Sequence, residues 1–339
     1  MDKIDLKSII KDIKRYGRDK AESGFSIACG VNEKFFPPLG IMLTSLVKNN
    51  PDRMIDVYIG TGSVSEDELN NLEIFVGQYP HVSVNIYYID EDKLADYVGR
   101  ENPTAAYYRV IMAEALHGDV DKLLYMDVDT LFLGKIEEFE SIQFGSKTFW
   151  AVKDTLSGSS LSYHKAELGL SDKDEYFNSG VMYIDLERWN SNDISNKVVQ
   201  LLHERAVGLR KFMFMDQGAM NLATVGLWGA LHERFNYMIP VLREKYKGKI
   251  LDNTVILHYA GTYKPWPYAP NEECVELNEN CAEMQLFDMY KKDSIWSGFA
   301  GYLKSYRALR LISRWMFQKG EWLLAIKWYI KYLKTKFNS

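Results

Sequence analysis

Strand-like and helix-like segments alternate along the first third of the chain, and this alternation restricts the possible folds more than any other feature. Phe25-Ser-Ile-Ala-Cys-Gly-Val31 is a short apolar run and reads as a buried strand. Residues 36–48 read as a helix and Ile55–Gly60 as a second strand. Ser65-Glu-Asp-Glu68 has the form of a capping box, in which a serine and a glutamate three residues on satisfy free N–H groups at a helix start. Leu69, Leu72 and Val76 then fall on one helical face. Val82–Ile89 reads as a strand, Thr104–Leu116 as a helix and Lys122–Met126 as a strand. The alternation predicts an α/β fold built on a largely parallel sheet. Ligands of such sheets bind beyond the carboxyl ends of the strands, where Asn32 and Asp127 both stand.

With 339 residues the chain is one large domain or two ordinary ones. A composition shift near Pro270 divides it. Residues 1–24 read as a polar leader, 25–270 as the principal domain and 276–339 as a helical domain rich in Tyr, Trp, Lys and Arg. The first twenty residues carry charges every few positions, so no signal-peptide core is present. No run approaches the ~20 apolar residues of a membrane span. Three cysteines, Cys29, Cys274 and Cys281, make neither a disulfide framework nor a Cys-x-x-Cys metal site, and reduced thiols in a cytoplasmic protein are the simplest reading.

The net charge of −5 conceals a division. From Phe299 onward nine Lys/Arg face a single Glu, a net of +8, while the preceding 298 residues carry −13. An acidic body argues against a protein that coats nucleic acid, and no DNA- or RNA-reading signature is present. In the tail, aromatics alternate with cations. On a helix that composition suits the plane of an anionic membrane surface or a phosphorylated lipid acceptor. A helix packed on the main domain with a solvated basic face is the alternative.

Two segments carry chemistry. Leu123-Leu-Tyr-Met-Asp127-Val-Asp129 ends an apolar strand with two carboxylates two residues apart. On a regular strand both point to one face, and oxygen ligands suit a hard cation such as Mn²⁺ or Mg²⁺. A turn with solvated acids would read the same way. The second segment is His258-Tyr-Ala-Gly261-Thr-Tyr-Lys264-Pro-Trp266, which follows an apolar strand. An imidazole can bind a transition metal, a glycine allows close backbone approach, and a lysine can meet phosphate. A core histidine, a turn glycine and a surface lysine would read the same way singly; together the segments point to a metal–diphosphate site.

These segments, with Ile27–Asn32, Tyr107-Tyr-Arg109, Tyr176-Phe-Asn-Ser-Gly-Val181 and Met215-Asp-Gln217, follow one another in the order of a known family. The chain resembles glycosyltransferase family 8, retaining enzymes of the GT-A fold, and within it the lipopolysaccharide core α-glucosyl- and α-galactosyltransferases. The resemblance covers roughly residues 25–268, and the tail is similar to the small C-terminal domain of that branch. It implies a UDP-glucose or UDP-galactose donor and a lipopolysaccharide core acceptor. It also implies Mn²⁺ or Mg²⁺ held by Asp127, Asp129 and His258, and a location on the cytoplasmic face of the inner membrane. By the same resemblance Ala28 and Asn32 line the uridine pocket, Arg109 and Asp127 contact the donor, and Gly261 and Lys264 meet the diphosphate. Asp154, Asn178, Asp216 and Gln217 surround the transferred sugar. Two departures stand out: Gly30 occupies a position where some members carry a uracil-binding acid, and Glu33 replaces an aromatic residue.

Each of these residues also has a local reading. Asp154 can cap a turn, Asn178 before Ser179-Gly180 is a turn sequence, Asp216 can N-cap a helix over residues 217–225, and Arg109 can be a surface charge. Two other functions compete. A haloacid-dehalogenase phosphatase also places D-x-D after an apolar strand, although Leu131 stands where that pattern has Thr or Val. A nucleotide-sugar-binding protein without turnover is the other.

Overall fold

The computed structural model describes residues 5–18, 23–99, 104–155, 158–211, 215–239, 242, 245, 250–261, 264–266, 282–299, 301, 306–318, 320 and 322–337. In chain order the elements that position the site are β1 (Ile10–Gly17), β2 (Phe25–Gly30), α1 (Phe36–Asn49), β3 (Ile55–Thr61), α2 (Glu66–Gln78), β4 (Val82–Ile89), α3 (Glu91–Val98) and α4 (Tyr108–Leu116). There follow β5 (Lys122–Met126), β6 (Thr130–Phe132), α5 (Glu137–Glu140), β7 (Phe149–Lys153), α6 (Gly158–Leu168), β8 (Phe177–Asp185), α7 (Leu186–Ser191), α8 (Ile194–Ala206), α9 (Met215–Ala223), β9 (Trp228–Leu231), β10 (Tyr237–Met238) and β11 (Ile256–His258).

Eight strands form the main sheet in the order β1-β4-β3-β2-β5-β8-β7-β9. The central run β4-β3-β2-β5 is parallel; β8 pairs antiparallel with both β5 and β7. Every residue of β3 is buried, as expected for a parallel strand covered on both faces. One face packs on α1 and α2 through Leu39, Leu43, Leu72 and Phe75; the other packs on α4 and α8 through Ile111, Leu116, Val198 and Leu202. A second sheet, β10-β11-β6, is entered directly from the first: the chain leaves β5 at Met126, passes through Asp127-Val128-Asp129 and enters β6 at Thr130. Polar residues of α1 hold β6 in place. Ser45 Oγ accepts from Phe132 N–H (2.8 Å), and Asn49 Nδ2 donates to Phe132 O (2.8 Å).

The segments expected from sequence fall where they were read, with three differences. The polar leader of residues 1–24 contains β1, which pairs antiparallel with β4 over Ile10–Gly17. Its charges hid it: an edge strand with solvent on its faces keeps polar residues at successive positions. The segment 104–116 is a 3₁₀ turn over Thr104–Tyr107 followed by α4. Only half of the capping box forms. Ser65 caps α2 by accepting from Glu68 N–H, whereas the Glu68 carboxylate accepts from Trp296 Nε1 (2.6 Å).

The expected boundary between residues 270 and 276 lies outside the described residues. After it, the helix Ala282–Lys292 packs on α1, and Met284, Phe287, Tyr290 and Trp296 join the same core as β2 and β3. Gly40 of α1 makes room for Trp296, since a Cβ there would lie 2.2 Å from the indole ring. The helices Tyr306–Gln318 and Trp322–Phe337 pack on each other through Leu309, Ile312, Met316, Ala325, Trp328 and Tyr332. Leu323, Ile326, Ile330 and Phe337 recur at helical spacing yet remain exposed, beside the exposed Lys327, Lys331 and Lys334. Among the described residues, no helix is long and apolar enough to cross a membrane.

Candidate active site

The strand-to-strand passage between the two sheets brings the chemistry together. β11 pairs antiparallel with β6 so that His258 lies opposite Thr130, and Tyr259 N–H donates to Asp129 O (2.9 Å). Asp127 N–H donates to Gly180 O of β8 (2.8 Å). One ligand atom from each of Asp127, Asp129 and His258 therefore falls within 4.8 Å of the other two, although the strand ends before the first aspartate. Two carboxylates and an imidazole suit a divalent cation of the Mn²⁺ or Mg²⁺ kind, so the side chains present fit the metal that the sequence leads one to expect.

Cationic side chains neutralise the pair. Arg109 is buried; its Nη2 lies 3.0 Å from Asp127 Oδ1 and its Nε 3.0 Å from Asp216 Oδ2. Nη1 donates to Ser179 O (2.5 Å) and Ser179 Oγ (2.7 Å), and the guanidinium stands 4.9 Å from the Tyr125 ring centre. Arg109 is thus a buried strut between two acids, not a surface charge. Burial works against its charge, but Asp127 and Asp216 outweigh that and raise its pKa further. Burial pushes the Asp127 carboxyl up against the pull of Arg109, with the Asp129 charge adding to the rise. Asp129 goes the other way: burial would raise it, yet Lys264 and His258 together hold it well below the usual carboxylate range. Lys264 Nζ is ion-paired with Asp129 Oδ2 and donates to Tyr259 O (2.7 Å).

On the far side of Gly180 lies a network of amides and acids. Asn178 Nδ2 donates to Asp154 Oδ2 (3.2 Å) and Gln217 Oε1 (3.3 Å), and Gln217 Nε2 donates to Asp154 Oδ2 (3.1 Å). Gln217 Oε1 also accepts from Ser179 N–H (3.1 Å). Asn178 is the second residue of β8, so the turn reading of Asn178-Ser-Gly is corrected: the strand continues because Phe177 pairs with Lys153 of β7. Asp216 sits inside the first turn of α9, not at its N-cap, and its carboxyl is pushed up by burial against the pull of Arg109. Asp154 follows β7 directly, its N–H held by Tyr176 O (2.9 Å).

The structure thus gathers Arg109, Asp127, Asp129, Asp154, Asn178, Asp216, Gln217, His258 and Lys264. Gly261 follows β11 with φ +68°, a conformation that favours glycine. Asn32 stands at the carboxyl end of β2, and its Oδ1 is buried with no hydrogen-bond partner. Ala28 lies within β2 and its methyl belongs to the core that contains Tyr58 and Tyr125. The departure at Gly30 has a steric cause: a Cβ there would meet Tyr108 Cβ at 2.8 Å and Tyr125 Oη at 3.0 Å, leaving no room for an acidic side chain. Sequence reasoning assigned no role to Gly180, Ser179 or Asn236. The first two lay within a quoted motif. Asn236, between Phe235 and Tyr237, carried no signal at all.

A strand end that delivers two acids between two sheets, with an imidazole from the second sheet and an amide network from the first, is the arrangement of a GT-A transferase. Residues 26–269 match Glycosyl transferase family 8, and the chain belongs to that family. It is therefore a glycosyltransferase, and the phosphatase reading is set aside. The chain is 26% identical over 330 residues to the lipopolysaccharide 1,3-galactosyltransferase of Salmonella typhimurium, spanning 95% of this chain and 94% of that protein. It is 28% identical over 252 residues to the lipopolysaccharide 1,2-glucosyltransferase of Escherichia coli K12, spanning 71% and 72%. Among solved structures, the galactosyltransferase LgtC in complex with donor and acceptor sugar analogs aligns with a TM-score of 0.61 at 20% identity, covering 81% of this chain and 99% of that one. The WbbM bifunctional glycosyltransferase in its apo form aligns with a TM-score of 0.66 at 16% identity, covering 83% and 52%. These likenesses establish the fold.

Proposed function

We propose that the protein is a retaining α-glycosyltransferase that moves glucose or galactose from UDP-glucose or UDP-galactose to a lipopolysaccharide core oligosaccharide, with Mn²⁺ or Mg²⁺ at Asp127, Asp129 and His258. The observation that carries this reading is the convergence of those three ligands beside the Asp154–Asn178–Gln217 network. The curated relatives, named for galactosyl and glucosyl transfer in lipopolysaccharide, support the choice of donor and acceptor.

Cleavage of the sugar–diphosphate bond leaves charge on the departing UDP. A cation held by Asp127, Asp129 and His258 would supply electrostatic stabilisation of that charge. Lys264, held on Asp129, is placed to turn toward the diphosphate and add its own charge where it develops. The orphaned Oδ1 of Asn32 offers the nucleoside an acceptor. Gln217 stands at the reacting face. An amide is a poor nucleophile, and Asp216 is occupied by Arg109. Both facts favour front-face attack by the acceptor hydroxyl on an oxocarbenium-like sugar over a covalent enzyme intermediate: the sugar–UDP bond breaks, the acceptor oxygen bonds to the anomeric carbon on the same face, and the departing phosphate oxygen takes the hydroxyl proton. Gln217 and Asn178 orient that sugar, Asp154 fixes both amides, and Asp216 serves sugar or acceptor hydroxyls.

The C-terminal helical pair extends this reading to location. Its exposed Leu323, Ile326, Ile330 and Phe337, rimmed by lysines, have the composition of a surface that lies on anionic lipid. We assign the helical pair Tyr306–Gln318 and Trp322–Phe337 to acceptor or membrane association, and the enzyme to the cytoplasmic face of the inner membrane; the helix Ala282–Lys292 belongs to the catalytic core. UDP release from a panel of UDP-sugars, with and without truncated core lipopolysaccharides, tests the proposal. Release from UDP-glucose or UDP-galactose that rises with acceptor supports it. Binding of the nucleotide sugar without transfer or slow hydrolysis would make the protein a binding module instead.

A further inference from the structure

The backbone N–H of Gly180 donates to Asn178 Oδ1 (3.0 Å), and a backbone N–H can only donate. That fixes which end of the Asn178 amide is oxygen. The same oxygen lies 2.9 Å from the Asn236 side-chain amide, which must therefore present its NH₂. Asn236 then has only its carbonyl oxygen left, and this lies 2.8 Å from His258 Nδ1. An acceptor at that point requires Nδ1 to carry a proton. His258 Nε2, on the opposite side of the ring and 3.4 Å from Asp129 Oδ1, is then the nitrogen that faces the carboxylates. Asn236 is fully buried and His258 nearly so, so water does not compete for these bonds.

We infer that Asn236 is a positioning residue that selects the Nε2-coordinating tautomer of His258 and ties the cation side of the site to the sugar side through Asn178. The inference rests on the cation reading given above. Groups hydrogen-bonded to the distal nitrogen of a ligating histidine orient the ring, and their loss typically lowers metal affinity ~10–100-fold. The chain Gly180 N–H to Asn178 to Asn236 to His258 is directional throughout, so its orientation is set by one backbone group in β8.

Two substitutions separate the two bonds of Asn236. Asn236→Leu keeps the approximate volume and removes both. Asn236→Asp retains an acceptor for His258 Nδ1–H and loses the donor to Asn178. The measurement is Mn²⁺ alone, titrated into the full-length protein and read by electron paramagnetic resonance, with thermal unfolding of each variant and UDP-release kinetics alongside. The expected result is wild-type binding, a loss of about 10–100-fold in Mn²⁺ affinity for Asn236→Leu, and near wild-type affinity for Asn236→Asp with a kcat reduced by about tenfold or more. A folded Asn236→Leu that binds Mn²⁺ as the wild type does would overturn the inference alone. So would equal loss of affinity in Asn236→Asp, because a merely structural role does not distinguish the two. Failure of the wild type to bind Mn²⁺ would instead overturn the cation reading beneath it.

Discussion

Gly180 is the wall between the two halves of the site, and filling it is the sharpest perturbation available. A Cβ at this position would stand 2.4 Å from His258 Cε1, 2.9 Å from Asp127 Oδ2 and 3.0 Å from Asn178 Oδ1. Its φ lies outside the left-handed region, so alanine meets no torsional objection and the whole effect is spatial. Carbon atoms rest at ~3.5–4.0 Å, so something must move by about 1 Å. The backbone cannot easily retreat, because Gly180 O accepts from Asp127 N–H and its N–H is committed to Asn178. The imidazole is what gives way. Gly180→Ala should cost about 1–3 kcal/mol of stability from overpacking. A displacement of about 1 Å in the imidazole of the proposed cation site should lower kcat/KM by roughly 10²-fold. Urea unfolding gives the first quantity and UDP release from the preferred UDP-sugar with Mn²⁺ the second. A variant that unfolds with wild-type stability and retains wild-type kcat/KM would refute the packing argument.

Other consequences are open to direct measurement. Arg109→Met leaves the part-buried Asp127 and Asp216 without their shared cation, and should destabilise the protein by about 1–3 kcal/mol in urea; wild-type stability would show that the strut carries nothing. Gly40→Ala drives a methyl into the Trp296 ring, and should cost about 1–3 kcal/mol while leaving the Mn²⁺ affinity untouched. An unchanged urea midpoint would mean that the 282–299 segment is not held there. Deleting the chain after Phe299 should lower sedimentation with anionic vesicles while soluble-acceptor transfer continues; unchanged sedimentation would make the tail structural only.

Much of this molecule could be read before its structure was known, for identifiable reasons. β2, β3 and β5 are buried on both faces, so each is an apolar run that composition reveals. The pair Asp127 and Asp129 stood out because it interrupts such a run. His258 was visible only as part of a string. Its place beside Asp129 comes from the β6–β11 register, a pairing across more than a hundred residues that no local pattern encodes. β1 escaped notice because an edge strand can be charged along its length. Arg109 was ambiguous because periodicity assigns charges to solvent, whereas here two acids and a serine carbonyl make burial tolerable. Asn178-Ser-Gly resembles a turn by composition, and only the neighbouring strands make it β8. Asn236 is the extreme case: its role is defined wholly by partners 22 and 58 residues away.

If the Asp127–Asp129–His258 cluster serves a UDP-sugar transferase, its acidic charge is indispensable to turnover. Asp129→Asn tests it with the least change in shape: it removes the charge shared by Lys264 and His258. UDP release should be compared for wild type and variant across a Mn²⁺ titration in the presence of truncated core acceptor, with folding checked by circular dichroism. Acceptor-stimulated release should saturate with Mn²⁺ in the wild type and be abolished in a folded Asp129→Asn at every concentration. Wild-type turnover by that variant, or release from the wild type that ignores both Mn²⁺ and chelator, would contradict that role.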